Sequence, residues 1–195
     1  MAKAKWARVG GMALVLGVAL VACRSDAVTG SEVASPSLGK RMWTPDASTV
    51  RVALRKRPLR SDRTESKVIG RKGGSISIPE AGLKLIVPEG AVSRPVAFSV
   101  TAIGGKLVAY EFEPHGTHFA VPLRVEQKKD RIILPAGGDP TAGYFSNREG
   151  LDDNSSVGVI EEERPVLDLV SAEGKVLVFS VEHFSGYLVA SGRKK

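Results

Sequence analysis

Residues 73–90 read GGSISIPEAGLKLIVPEG. Ile76 and Ile78 alternate with serines, and Leu83, Leu85 and Val87 alternate in the same way after Pro79 and Gly82. A period of two puts every second side chain on one face, which predicts half-buried β-strands. The runs are too short for helices, and Gly and Pro close both ends. The same texture extends outward. VAFSVTA (96–102), LVAYEF (107–112), LRVEQ (123–127) and RIIL (131–134) follow, then VGVI (157–160), VLDLV (166–170), VLVFSV (176–181) and YLVA (187–190). No stretch combines helical length with a 3.6-residue period. Short strands with frequent turn signals predict an all-β chain, a single antiparallel β-sandwich over residues 66–192. Residues 136–155 read as its longest loop, with a short strand at Tyr144 and Phe145.

Three blocks in this span resemble the ZU5 domain. Gly73-Gly74 with its strand, followed by Gly82 to Val92, is similar to that family's Gly-Gly turn and its "IPPGAL" variant, with Glu89 standing for the second proline. Phe112-Glu-Pro114-His115-Gly116-Thr-His118-Phe119-Ala-Val-Pro122-Leu123 is similar to a central "PHG…F…PV" stretch, and His183-Phe184-Ser185-Gly186-Tyr187 to an "HFS-x-Y" strand. The resemblance implies a β-sandwich that works as a protein-interaction or structural module.

It also implies a second reading, because some ZU5-containing proteins break their own chain at an HF/S junction. Ser185 Oγ would attack the Phe184 carbonyl with His183 as general base. An N-to-O acyl shift would leave an ester for water to hydrolyse, releasing residues 185–195. Such a reaction needs a strained peptide, and Gly186 would permit unusual backbone beside it. The plainer reading makes Phe184 a core residue, with His183 and Ser185 hydrogen-bonded around it.

The N-terminus carries its own signals. Lys3, Lys5 and Arg8 precede an uncharged apolar run from Met12 to Val21. That run is far short of the roughly 20 residues that span a bilayer and fits a secretory signal peptide over residues 1–22. Leu20-Val21-Ala22-Cys23 resembles the bacterial lipobox, whose cysteine receives lipid before cleavage. Cys23 is the only cysteine in the chain, so no intramolecular disulfide and no cysteine-based metal site exist. The expected product is an exported lipoprotein held in the cell envelope by acylated Cys23. Arg24 follows, where an aspartate would signal inner-membrane retention in enteric bacteria, so the outer membrane or its periplasmic face is expected. Residues 23–65 read as a basic, flexible tether with Val50, Val52 and Leu54 alternating inside it.

Charge follows that division. Residues 23–72 carry 12 basic and 5 acidic side chains, whereas residues 73–195 carry 13 and 16. The pI of about 9.7 then describes leader and tether, which argues against nucleic acid as a partner. An envelope protein is the expected partner, and no cofactor is expected. G-x-S-x-G, Walker and strand-linked G-x-G-x-x-G motifs are missing, so the chain reads as non-enzymatic. His115 and His118 have H-x-x-H spacing and His183 is the third histidine, but nothing in the sequence brings the three together as a zinc site. Asp152, Asp153 and Glu161 to Glu163 lack calcium-loop spacing and read as solvated charge. A third reading, cell-wall or glycan binding, rests on loop aromatics at Tyr144 and Phe145.

Overall fold

A computed structural model describes residues 49–171 and 174–191. The chain begins with β1 (Thr49–Val52), β2 (Leu54–Leu59), β3 (Arg63–Ile69), β4 (Gly74–Ile78), β5 (Leu83–Val87) and β6 (Val96–Ala102). It continues through β7 (Gly105–Leu107), β8 (Ala109–Glu113), β9 (His118–Lys128), β10 (Ile132–Ile133), β11 (Pro140–Phe145) and β12 (Leu151–Asp152). It ends with β13 (Val157–Val159), β14 (Glu162–Pro165), β15 (Leu167–Ser171), β16 (Gly174–His183) and β17 (Gly186–Ser191). Two single 3-10 turns, Lys129–Arg131 and Arg148–Gly150, are the only helical elements among the described residues. The fold is all-β and sandwich-like, as the alternations predict.

One layer is a five-stranded sheet in the order β15-β16-β9-β5-β4. The other is a nine-stranded sheet, β12-β13-β1-β17-β8-β6-β3, with β11 on the free edge of β17 and β14 on β11. A small third sheet, β10-β2-β7, flanks them. The two larger sheets share a core: Leu85, Val125 and Phe179 come from one side, and Phe98, Tyr110 and Val189 from the other. A second cluster, including Val52, Phe145, Leu188 and Ala190, packs the opposite face of the nine-stranded sheet where it curls. β17 is therefore buried on both faces, which explains why its sequence reads as a run without polar interruption.

The expected tether is corrected at its C-terminal end. Residues 49–65 form β1, β2 and the start of β3. β1 pairs with β17 through Arg51 with Ser191 and Val52 with Ala190. The reason is visible in burial: Val50, Val52 and Ala53 are core residues. β3 hides its nature because its first six side chains are exposed and only Ile69 is buried. The charge division shifts with it. Residues 49–195 carry 22 basic and 18 acidic side chains, so part of the positive charge assigned to the tether lies on strands. The expected signal peptide over residues 1–22, Cys23 and the remainder of the expected tether lie outside the described residues.

Arg55 is the least expected member of this segment. It is 4% exposed. Its Nη1 donates to the carbonyls of Ile103 (2.9 Å) and Leu107, and its Nη2 to that of Ala109 (3.1 Å). Its guanidinium carbon stands 5.4 Å from the centre of the Tyr110 ring. Among the described residues it forms no direct ion pair and its Nε has no hydrogen-bond partner, so carbonyl dipoles at Nη1 and Nη2 and a π-face do most of the solvating of the buried cation. Burial pushes the Tyr110 hydroxyl up to about 12 against the opposing pull of Arg55. That hydroxyl donates to Gln127 of β9, while Gln127 Nε2 donates to the Ala81 carbonyl at 3.1 Å. Arg55 thus helps join the small sheet to both layers.

Two prolines lie in strand interiors, at Pro58 in β2 and Pro122 in β9. Each falls where the register slips, between Leu54 and Leu59 in one and opposite Val181 to His183 in the other. A missing N–H costs nothing at a bulge, whereas it would break a regular ladder. Pro122 therefore lies inside β9, at its irregular stretch.

A chain that starts at Ser66 is expected to lose cooperative unfolding, since it lacks Val50, Val52 and Arg55. A chain that starts at Trp43 should keep it. Thermal melts followed by circular dichroism distinguish the two.

Candidate functional site

The HFS block is where the chain changes sheets. β16 ends at His183 in the five-stranded layer, and β17 begins at Gly186 in the nine-stranded layer. Phe184 and Ser185 make the crossing. A chain leaving a ladder must find other partners for its buried peptide groups, and here the PHG block supplies them. Gly116 N–H donates to the Phe184 carbonyl at 3.1 Å, and Phe184 N–H donates to the Thr117 carbonyl at 3.0 Å. Phe112 N–H donates to the Ser185 carbonyl at 3.0 Å. The two blocks, far apart in sequence, form one joint.

The turn that presents Gly116 is fixed locally. Thr117 donates to the Pro114 carbonyl through both its N–H (3.3 Å) and its hydroxyl (2.8 Å). Gly116 has φ of +72°, a conformation that glycine adopts without penalty.

Phe184 anchors the joint from inside. It is 1% exposed. Its ring lies 4.7 Å from Phe119 and 5.1 Å from Phe98, both edge-on, and stacks on Phe112 at 5.6 Å. Such pairs each add roughly 0.5–1.5 kcal/mol beyond area burial. The sequence expectation of a core phenylalanine holds.

Ser185 and His183 diverge. The Ser185 hydroxyl is buried and donates to the Phe145 carbonyl at 3.3 Å. The His183 ring instead stands against Tyr144 at 5.1 Å, His118 at 5.7 Å and Tyr187 at 6.1 Å. The Tyr187 hydroxyl donates to the His183 carbonyl at 3.0 Å. Among the described residues no hydrogen bond links the His183 ring to the Ser185 hydroxyl. One feature that chain cleavage would use is present, the Gly116 N–H on the Phe184 carbonyl. The base-to-nucleophile contact is not.

Gly186 serves packing, not strain. Its φ is outside the left-handed region. A Cβ there would overlap the ring of Phe145. Phe145 is itself buried, and β11 lies along β17 from Pro140 with Ser191 to Phe145 with Gly186. The expected loop 136–155 therefore contains a full strand. Of the two aromatics named for glycan contact, Phe145 belongs to the core and Tyr144 is half-buried against His183.

The remaining candidates separate in space. His115 is exposed, with Nε2 4.0 Å from Glu113 Oε1. Among the described residues no three His, Cys, Asp or Glu side chains converge as a metal cage. Asp153 Oδ1 accepts from the N–H groups of Lys106 (3.0 Å) and Leu107 (3.3 Å). Asp152 accepts from the Ser155 hydroxyl and the Asn154 N–H, and the Ser155 bond first of all holds its carboxyl below the usual range. Glu161 accepts from Ser146 N–H at 3.1 Å. These three carboxylates order turns.

Replacing Gly186 with Ala is expected to cost about 1–3 kcal/mol through overpacking against Phe145. Denaturant unfolding monitored by fluorescence would measure it, and Gly90→Ala, where a Cβ meets nothing within 4 Å, supplies a comparison limited to backbone strain.

Comparison with known proteins agrees with the β-reading. No curated protein matches the chain. The PHG and HFS blocks lie beyond the stretch that a family does match. That stretch, residues 65–103, runs from within β3 through β6 and fits the ZU5 domain family, so this part of the chain is ZU5-like.

Proposed function

We propose that this protein is a lipid-anchored component of the cell envelope whose ZU5-like β-sandwich serves as a non-enzymatic protein-interaction or structural module. The match at residues 65–103 supports the interaction role. The observation that carries the non-enzymatic reading is the joint at Phe184 and Ser185. Its backbone carbonyls accept protein N–H groups, its serine proton is committed to Phe145, and its histidine turns away toward Tyr144 and His118. An arrangement so fully occupied fits a structural hinge between layers better than a reacting centre. Fold likeness alone does not assign activity.

An exposed edge supports a protein partner. β15 closes one side of the five-stranded sheet and pairs only with β16 among the described strands. Leu167 and Val170 are 59% and 79% exposed there, and Leu169 is exposed too. Its one charged residue, Asp168, is engaged by Lys129. Edge strands usually carry charges, bulges or covers that discourage pairing. β15 has little of that protection.

The anchor rests on the order of a basic start, the apolar run Met12 to Val21 and Cys23. Burying lipid gains about 0.8 kcal/mol per CH₂, so two acyl chains hold a protein firmly where one does not. Cys23→Ser is expected to move the protein from the membrane pellet to the soluble fraction with its thermal transition unchanged. Retention of the Ser variant on membranes would sink the anchor. Intact-mass analysis after denaturation tests the rest. A single mature species supports the structural joint, whereas loss of the 11 residues 185–195 would establish self-processing instead.

A further inference from the structure

The fold brings together two histidines that the sequence leaves 65 residues apart. β9 and β16 run in register until Leu123 faces Val181, and then the pairing jumps to His118 opposite His183. Four β9 residues, Phe119 to Pro122, stand against the single Glu182 of β16, and the excess is taken up in a bulge. Bulges re-aim side chains, and this one sets two imidazoles side by side. Their ring centroids are 5.7 Å apart with planes at 53°.

Both rings are placed to bind something. His118 is exposed and His183 half-buried. Among the described residues neither imidazole makes a hydrogen bond or an ion pair, so no protein group competes for their nitrogens. His183 is also held in place. Tyr144 packs edge-on at 84°, and the Tyr187 hydroxyl fastens its carbonyl.

We propose that His118 and His183 form a two-imidazole site for a divalent transition-metal ion of the copper, nickel or zinc class. Neutral imidazole suits these ions, whereas calcium and magnesium prefer oxygen. Metal–nitrogen bonds of about 2.0–2.1 Å place the centroids of two ligating imidazoles roughly 4.5–5.2 Å apart. The observed separation closes to that range by small side-chain rotations. Water fills the other coordination positions on the exposed side of His118. No third His, Cys, Asp or Glu joins them among the described residues, so the site is open and its affinity rests on two nitrogens. Binding would staple β9 to β16 at the bulge, where ladder hydrogen bonds are interrupted, one residue before the sheet crossing.

The test is a Cu²⁺ titration of the purified full chain, read by calorimetry for stoichiometry, by electron paramagnetic resonance for nitrogen coordination, and by thermal unfolding. One ion per chain, an imidazole-coordinated copper spectrum and a metal-dependent rise in Tm are expected. His118→Asn, at an exposed position, should fold with the parent's metal-free Tm. It should weaken binding by about tenfold or more and abolish the Tm rise. His115→Asn should bind as the parent does. Equal affinity in the parent and His118→Asn, equal losses in His115→Asn and His118→Asn, or a spectrum without imidazole nitrogen would each overturn the site.

Discussion

The structure depends on the complete enclosure of β17. Its six residues are all buried. β11 lies along one edge for the whole strand. The other edge is shared in sequence by β8, through Tyr187 and Leu188, and by β1, through Ala190 and Ser191. Ala53 and Val108 bridge the change of neighbour: Ala53 N–H donates to the Val189 carbonyl at 2.7 Å, and Val189 N–H donates to that of Val108 at 3.0 Å. One face of β17 enters the main core and the other enters the second cluster. A strand hydrogen-bonded on both edges and packed on both faces has one workable register, since a slip of one residue would exchange its two faces.

The joint at Phe184 and Ser185 follows from that constraint. A strand that serves the nine-stranded sheet has to be reached from β16 in the opposite layer, and the crossing leaves peptide groups away from either ladder. The Pro114 turn meets them, and four aromatic rings seal them from water. The histidine, phenylalanine and serine are then explained by position. Phe184 fills the gap between layers, Ser185 bonds the neighbouring strand, and His183 marks the last point of the β16 ladder.

Where the hydrophobic period was clean, the strands were legible from sequence. β5 and β6 coincide with LKLIV and VAFSVTA, because each puts one apolar face against the core. β1 showed in the alternation of Val50 and Val52, which allowed a short strand there, whereas β2 and β3 were hidden for physical reasons. β2 contains a proline and a register slip, β3 exposes both faces, and its neighbours are rich in arginine. Nothing in RVALRKRPLR singles out Arg55 from Lys56 and Arg57, since its carbonyl partners come from the distant segment 103–109. β11 showed only at its end, Tyr144 and Phe145, because glycine and alanine before them mimic a loop. Gly143 is needed there because a Cβ would overlap Ile160. The contact between the PHG and HFS blocks was likewise invisible, as it arises only when β16 crosses over.

The enclosure of β17 also sets an order in time. Every strand that β17 joins precedes it in the chain, and β1, the earliest described, pairs with its far end. Emerging from the ribosome, the polypeptide holds a nine-stranded sheet with its middle missing until residue 191 has been made. Contacts of such long sequence separation close late and slowly. The fold thus carries its own delay: the strand that locks it is the last of the described strands to be synthesised.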